Sequence, residues 1–85
     1  MTAPDRPEIE YPTRWTYKVI GQDEAHLRAA IATIVENREH EIDFSHASTQ
    51  GKYVSLTLDV VVHDEDERNT IFSDLGKHVD VQVVI

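Results

Sequence analysis

Hydrophobic and polar residues follow two different periodicities along the chain, and these divide it into six segments. Four segments alternate apolar with polar residues or are rich in β-branched and aromatic side chains, which predicts β-strands. These predicted strands cover residues 15–20, 42–48, 53–62 and 79–85. The third is the clearest, because every second residue along it is apolar: Val54, Leu56, Leu58, Val60 and Val62.

The other two segments carry apolar residues at helical spacing. The first predicted helix covers about residues 23–39, with Asp23 at its positive end, where a carboxylate is favoured. The second begins near Asp64, which forms a capping-box-like pair with Glu67, and Gly76 is its predicted C-cap. The apolar stripes of the two helices are Leu27, Ala30, Ile31, Ile34 and Val35, and Ile71, Phe72 and Leu75.

The hairpin between the second and third strands has a register that follows from their apolar positions. A loop of three residues, Thr49-Gln50-Gly51, keeps the apolar residues of both strands on one face, whereas a loop of two or four separates them. Such a loop is a type I turn followed by a glycine bulge. This register directs His46 towards the helices. The apolar residues that then share a face are Ile42, Phe44, Leu56 and Leu58.

The predicted element order is βαββαβ, which indicates the α+β class and a ferredoxin-like sandwich. A four-stranded antiparallel sheet carries two helices on one face, joined by right-handed crossovers. The predicted core comprises Trp15, Tyr17, Val19, Leu27, Ile31, Ile34, Phe44, Leu56, Leu58, Val60, Ile71, Phe72, Leu75, Val81 and Val83. The opposite, open face of the sheet carries Thr16, Lys18, Ile20, Tyr53, Ser55, Thr57, Asp59, Gln82 and Val84.

The N-terminal segment differs in composition from the rest of the chain. All three prolines lie within the first twelve residues, where they alternate with acidic residues. This pattern predicts a flexible leader over residues 1–12 and a single domain over residues 13–85.

Charge and cysteine content exclude several classes of partner. Eight Lys and Arg residues against 16 Asp and Glu give a formal net charge of −8, which opposes nucleic-acid phosphates and anionic membranes. The absence of cysteine excludes disulfides, thiolate metal sites and cysteine catalysis. No secretory signal and no apolar run long enough to cross a bilayer is found, so we expect a cytoplasmic protein.

Three short segments of this sequence resemble a family of proteins. Residues 12–21 read Pro-Thr-Arg-Trp-Thr-Tyr-Lys-Val-Ile-Gly, and residues 75–77 read Leu-Gly-Lys before a valine-rich end. Residues 48–55 are similar to a Ser-Ser-x-Gly-x-Tyr-x-Ser hairpin, from which only Thr49 departs. Together they resemble the YbeD-like family of small uncharacterised bacterial proteins. The resemblance implies an ACT-like βαββαβ fold, of the kind that binds small effectors and regulates enzymes, and it supplies no catalytic residues.

Catalytic and metal-binding chemistry is not indicated by any motif. The connection after the first strand reads Gly-Gln-Asp, without the Cys-x-x-Cys of a metal-transfer domain or the arginine of an acylphosphatase-like enzyme. The histidines show no metal-binding spacing, and no nucleophile, acid and base converge. We therefore expect no catalytic residue, no metal site and no cofactor. The histidines are His26, His40, His46, His63 and His78.

The sequence favours a non-catalytic regulatory or effector-binding module that modulates a metabolic enzyme. The alternative is an adaptor that docks a protein through the open sheet face or an edge strand. A small-molecule site is predicted at Gly21, Gln22 and Asp23, because a helix N-terminus leaves N–H groups unpaired and glycine permits close approach. Against this, Asp23 and Glu24 repel an anion, and Gly21 and Asp23 can equally serve as strand end and helix cap. The partner is a small effector or a protein, and a homodimer is left open.

Overall fold

The predicted βαββαβ order is confirmed in the computed structural model, which describes residues 9–47 and 51–85. The first half of the chain contains β1 (Thr13–Gly21), α1 (Glu24–Val35) and β2 (His40–Ala47). The second half contains β3 (Val54–Val62), α2 (Glu65–Lys77) and β4 (Val83–Val84). Residues 1–8 of the expected leader lie outside the described residues, and Tyr11 packs partly buried against the core.

The strands form one antiparallel sheet in the order β2-β3-β1-β4. Its centre is the pairing of β1 with β3, in which all nine residues of each strand are paired without a bulge. Tyr17 lies opposite Leu58 and Val19 lies opposite Leu56, so the alternating apolar residues of both strands share one face. Both helices pack on these two strands and on each other.

The core lies between the sheet and the helices, and most of its predicted members are confirmed. Trp15 and Ile34 are partly buried at its margin. Three predicted members, Phe44, Phe72 and Val83, are wrong, because each is about half exposed (52 %, 46 % and 46 %). The buried hydrophobic residues are Tyr17, Val19, Leu27, Ala30, Ile31, Val35, Leu56, Leu58, Val60, Val62, Ile71, Leu75 and Val81.

The two phenylalanines are exposed for different reasons, one on the edge strand β2 and the other on α2 itself. Phe44 is on the predicted face, opposite Leu56, but it belongs to the edge strand β2, which extends beyond the two helices. Phe72 lies one position after Ile71, which rotates it by about 100° away from the centre of the α2 stripe. Its ring still contacts that of Tyr17, with a centroid distance of 6.5 Å.

The last strand departs from the simple alternation predicted for residues 79–85. The Gln82 N–H donates to the carbonyl of Ile20 at 2.8 Å, although Ile20 pairs with Val83. Two consecutive residues of the last segment therefore lie opposite Ile20, which is the pattern of a β-bulge. This extra residue inverts the alternation beyond it. Val84 faces the core opposite Val19, and Val83 turns to the open face, the reverse of the prediction.

The hairpin also contains a bulge that the sequence did not predict. Phe44 pairs with Leu56 in the predicted register, but a shift between Phe44 and His46 places His46 opposite Ser55 on the open face. The prediction that His46 points towards the helices is therefore wrong. In the predicted loop, Thr49 and Gln50 lie outside the described residues, and Gly51 has a φ of +71°.

Both helices begin at the predicted caps but end elsewhere. Asp64 accepts a hydrogen bond from the Glu67 N–H at 2.7 Å, as expected for the start of α2. α1 ends at Val35 rather than near residue 39, because Glu36 adopts a φ of 57°. α2 continues through Gly76 to Lys77, so the prediction of Gly76 as its C-cap is wrong.

One cluster of polar side chains ties the end of α1 to the start of α2. Arg38 donates to the carbonyls of Ile34 and Val35 at 3.2 Å and to Glu67 Oε2 at 2.6 Å. The Glu67 side chain is only 19 % exposed and also accepts the His63 backbone N–H at 2.6 Å. Hydrogen bonds from Arg38 and then from His63 lower the pKa of Glu67 to about 2.

Tyr17 makes a second tie between the sheet and α2. Its hydroxyl group donates to the Arg68 carbonyl at 2.6 Å, and burial raises the pKa of Tyr17 to about 12. The Arg68 guanidinium lies 4.5 Å from the centre of the Trp15 ring, a cation–π distance. The two contacts fix α2 over the first half of β1.

Leu58→Ala should lower the free energy of unfolding by about 2–5 kcal/mol, because it leaves a cavity at a fully buried position. Thr57→Ala, on the opposite face of β3, should change it by only about 0.5 kcal/mol. Chemical denaturation of both variants measures the difference. Equal denaturation midpoints for the two variants would contradict the burial of Leu58.

Glu67→Gln should destabilise the protein by about 1–2 kcal/mol at neutral pH, since solvent screening at the rim reduces the full effect of the pKa shift. The pKa of Glu67 falls from 4.5 to about 2 on folding, so its contribution is complete above pH 4.5 and is lost as the pH falls towards 2.

Denaturation at a series of pH values should therefore show the parent and Glu67→Gln converging below pH 4.5. Glu41→Gln, at an exposed position, is the control and should follow the parent throughout. A stability difference for Glu67→Gln that stays constant down to pH 3 would contradict the ionic role of Glu67.

Candidate functional site

The connection from β1 to α1 contains the three residues predicted as a ligand site. Asp23 is the N-cap of α1, and its Oδ1 accepts the His26 N–H at 3.0 Å. This hydrogen bond lowers the pKa of the Asp23 carboxyl, which therefore carries a negative charge at neutral pH. The cap also engages one of the N–H groups that were expected to face a ligand.

Gly21 is buried at the end of β1, and the protein itself occupies the space beside it. A Cβ atom at Gly21 would lie 2.6 Å from the Asp80 carbonyl oxygen and 2.7 Å from Leu27 Cδ2. Glycine is therefore required here by the close approach of the segment before β4. Of the three predicted residues, Gln22 and Asp23 are the two that line open space.

Two hollows meet at Gln22 and Asp23. The first has a volume of about 160 Å³ and lies between the β1–α1 connection and the segment that leads into β4. We call it the end cleft; it is lined by Gln22, Asp23, His26, Val79, Asp80 and Gln82. The second is a shallower hollow beside the first turn of α1, where Arg28 Nε donates to Glu24 at 2.8 Å.

Among the described residues, the lining of the end cleft contains two carboxylates and no lysine or arginine. Asp23 lies on one wall, with His26 Nδ1 3.9 Å from its Oδ2, and Asp80 lies on the other. His78 Nδ1 accepts the Asp80 N–H at 3.1 Å, which holds the turn that carries Asp80. Because of these charges, the cleft suits a ligand with N–H donors or a positive charge better than an anion.

The sequence pattern did not predict that His26, Asp80 and Gln82 lie close together, and it placed Gln82 on the open face of the sheet. They meet because β4 runs antiparallel to β1, which places the start of the last segment beside the end of β1. The topology alone could have indicated this neighbourhood. The topology could not indicate which side chains line the cleft, since the bulge at Gln82 determines which residues of the last segment face which side of the sheet.

The remaining polar groups form no second constellation in the part of the chain that the structure describes. No group of three or more His, Asp and Glu side chains there could hold a metal ion. The Ser55 hydroxyl is buried on the open face and has no hydrogen-bond partner among the described residues. Neither described helix is long and apolar enough to cross a membrane.

Comparisons with known proteins place these features in a family context. Residues 6–85 match the model of a family described as protein of unknown function (DUF493). An uncharacterized protein of Campylobacter jejuni is 41 % identical over 71 residues, covering 81 % of this chain and 79 % of that protein. A UPF0250 protein of Hahella chejuensis is 34 % identical over 85 residues, covering 95 % and 93 %.

Solved structures of other proteins share the fold. A solution structure of a Helicobacter pylori protein superposes with a TM-score of 0.82 at 27 % identity, covering 100 % of this chain and 97 % of that one. The ACT domain from GTP pyrophosphokinase of Chlorobium tepidum superposes with a TM-score of 0.60 at 17 % identity, covering 85 % and 94 %. The latter similarity concerns the fold alone.

Gly21→Ala should lower the free energy of unfolding by about 1–3 kcal/mol, because the added methyl group forces the Asp80 backbone and Leu27 apart. Gly76→Ala is the matched control. Gly76 lies in α2, and its added methyl group would contact Val84 of β4 at an ordinary distance of 3.6 Å. Because alanine favours the helix more than glycine does, this variant should be more stable by up to about 1 kcal/mol. Thermal and chemical denaturation of both variants measures whether each substitution raises or lowers the free energy of unfolding. A neutral Gly21→Ala variant would contradict the close packing.

Proposed function

The chain belongs to the family of proteins of unknown function DUF493, and we propose that it is a non-catalytic regulatory module whose end cleft binds a small amine-bearing effector. The family match also confirms the resemblance to the YbeD-like proteins. The observation that carries the proposal is the composition of the cleft, in which Asp23 and Asp80 face a common hollow.

The fold class supports a regulatory role in general terms. An ACT domain from an enzyme, GTP pyrophosphokinase, has the same architecture. We infer that this chain acts in a similar way, as a domain that modulates a metabolic enzyme in the cytoplasm. The ligand must be argued from the cleft itself, because one fold hosts many unrelated functions.

The chemistry of the cleft favours an ammonium or amine group. A ligand with N–H donors satisfies Asp23 and Asp80, and the Gln22 and Gln82 side chains supply both donors and acceptors for its remaining polar atoms. The volume of about 160 Å³ suits a small metabolite rather than a nucleotide. The two walls belong to segments far apart in sequence, so a ligand that bridges them stabilises the β1–β4 end of the sheet.

A non-catalytic role is supported by how the reactive side chains are engaged. The Ser55 hydroxyl makes no hydrogen bond to His46 opposite it or to any other described residue, and Glu67 is held by Arg38 and His63 in a structural cluster. Thr16 donates its hydroxyl hydrogen bond to Asp59 in an exposed pair on the open face. None of these groups faces the end cleft.

A second candidate function, an adaptor for a protein partner, is favoured by the edge strand β2. It carries the half-exposed Phe44 and has one side without a partner strand in the described part of the sheet. The two functions are compatible, because the end cleft lies towards the opposite edge of the sheet.

A nuclear magnetic resonance titration tests the effector site. The probes are putrescine, glycinamide and a neutral amino acid, with acetate and phosphate as anionic comparisons. The amines should shift the amide signals of residues 22–26 and 79–82, whereas the anions should not. The proposal would be contradicted by shifts confined to other regions, or by the absence of shifts at millimolar concentration of any amine.

Two variants separate ligand binding from helix capping. Asp80→Asn should weaken amine binding by about tenfold, since it removes one charge-assisted hydrogen bond. Asp23→Asn should weaken binding similarly while leaving stability nearly unchanged, because asparagine caps a helix as well as aspartate does. Asp74→Asn, on the exposed surface of α2, is the control and should bind as the parent does. Equal binding by all three variants would contradict the role of the two carboxylates.

A further inference from the structure

Among residues 9–47 and 51–85, no strand pairs with the outer side of β2, and the backbone groups of this edge can be assigned. The Val61 N–H donates to the Glu39 carbonyl at 2.9 Å across the β3–β2 pair. Because hydrogen-bonded pairs alternate along an antiparallel ladder, the backbone groups of Glu41 and Asp43 then also face β3. Those of His40, Ile42 and Phe44 face away from the sheet. This side offers donors and acceptors to another strand.

The side chains of this edge divide into an acidic row and an apolar row. Glu41 and Asp43 are exposed on the open face, next to Asp59 and Thr57 of β3. Ile42 and Phe44 lie on the opposite face, where Ile42 packs partly buried against the core and Phe44 remains 52 % exposed. The apolar side of the edge therefore projects beyond the helices.

The charges of the acidic row are not balanced within residues 9–47 and 51–85. Glu41 and Asp43 take part in none of the described ion pairs, whereas Glu39, the preceding acidic residue, pairs with Arg14 at 3.1 Å. The net charge of −8 adds to this local field. A positively charged partner is attracted to this edge, and a negatively charged one is repelled.

A second copy of the same chain is a poor occupant of this edge. If two β2 strands paired antiparallel about Ile42, Glu41 of one would lie opposite Asp43 of the other. Like charges directly opposite each other destabilise a strand pair. Acidic residues on an edge are also a common device against self-pairing.

We propose that β2 binds an extended segment of a partner protein as a fifth strand, and that this segment carries lysine or arginine at alternate positions with apolar residues between them. The backbone groups of residues 40, 42 and 44 supply the hydrogen bonds of strand addition. The basic side chains meet Glu41 and Asp43, and the apolar side chains meet Phe44. The bulge after Phe44 ends the straight part of the edge, so the paired length is about five residues.

This inference rests on the second candidate function, for which it names the partner, and it is independent of the effector proposal, because the end cleft adjoins β1 and β4. The experiment uses the full chain and a blocked seven-residue peptide that alternates lysine and valine. Comparison peptides have the same composition in scrambled order, or glutamate in place of lysine. Binding is measured by fluorescence anisotropy at two salt concentrations, and the site is mapped by amide chemical shifts.

The alternating basic peptide should bind at least tenfold more tightly than either comparison peptide, and more weakly at the higher salt concentration. Its amide shifts should centre on residues 40–44. Glu41→Gln with Asp43→Asn should weaken binding about tenfold. Asp66→Asn with Asp74→Asn, the same charge change on α2, should weaken it no more than about threefold.

A backbone test distinguishes strand addition from charge attraction alone. Phe44→Pro removes an outward N–H without breaking the β2–β3 ladder, and proline is tolerated at such edge positions. It should abolish binding, whereas Phe44→Val, which keeps the N–H, should weaken it by less than about fivefold. Unchanged β1 and β3 amide signals establish that the proline variant is folded.

Any of these binding results would overturn the proposal: equal binding of the scrambled peptide, full binding by the folded Phe44→Pro variant, full binding by the Glu41 and Asp43 variant, or shifts centred away from β2. If the proline variant does not fold, the charge variants and the scrambled peptide still decide the question. Self-association of the chain through β2 would equally contradict it.

Discussion

The unbroken pairing of β1 with β3 is the constraint on which the rest of the structure depends. Nine consecutive residue pairs keep the alternating apolar residues of both strands on one face, and both helices pack on that face. A slip of one residue would turn Tyr17 and Leu58 to opposite faces and separate the core. The contacts from Tyr17 to α2 and from Arg38 to Glu67 then fix the helices over the two strands.

The sequence predicted the structure well where this ladder is unbroken and less well at the two edges. Along β3, alternation identified Leu56, Leu58 and Val60 correctly as core residues, because both helices pack on this strand. At the edges the same pattern indicated which face a residue lies on, but not whether a helix covers that face. This is why the prediction that Phe44 is buried was wrong. A single bulge also inverted the alternation of Val83, and no local residue preference announces such a bulge.

The candidate site was predictable only where local sequence rules determine it. Asp23 is identified by local rules, since an acidic residue before an amphipathic segment is typical of a helix cap, and Gln22 adjoins it. Asp80 and His26 join the site only through the return of the chain beside β1, which is a tertiary effect. The Asp80 carboxylate, added to that of Asp23, also changes the expected ligand, from an anion at a helix N-terminus to a group that donates hydrogen bonds.

The close approach of Gly21 to Asp80 has a mechanical consequence for the end cleft. Because the two walls touch through backbone atoms at their base, rotation of side chains cannot separate them. A wider cleft requires the last strand to peel away from β1, to which it is joined over a very short stretch ending at Ile85. Widening the cleft therefore means local unfolding of the C-terminal strand, which also removes Val81 and Val84 from the core and the strand from α2.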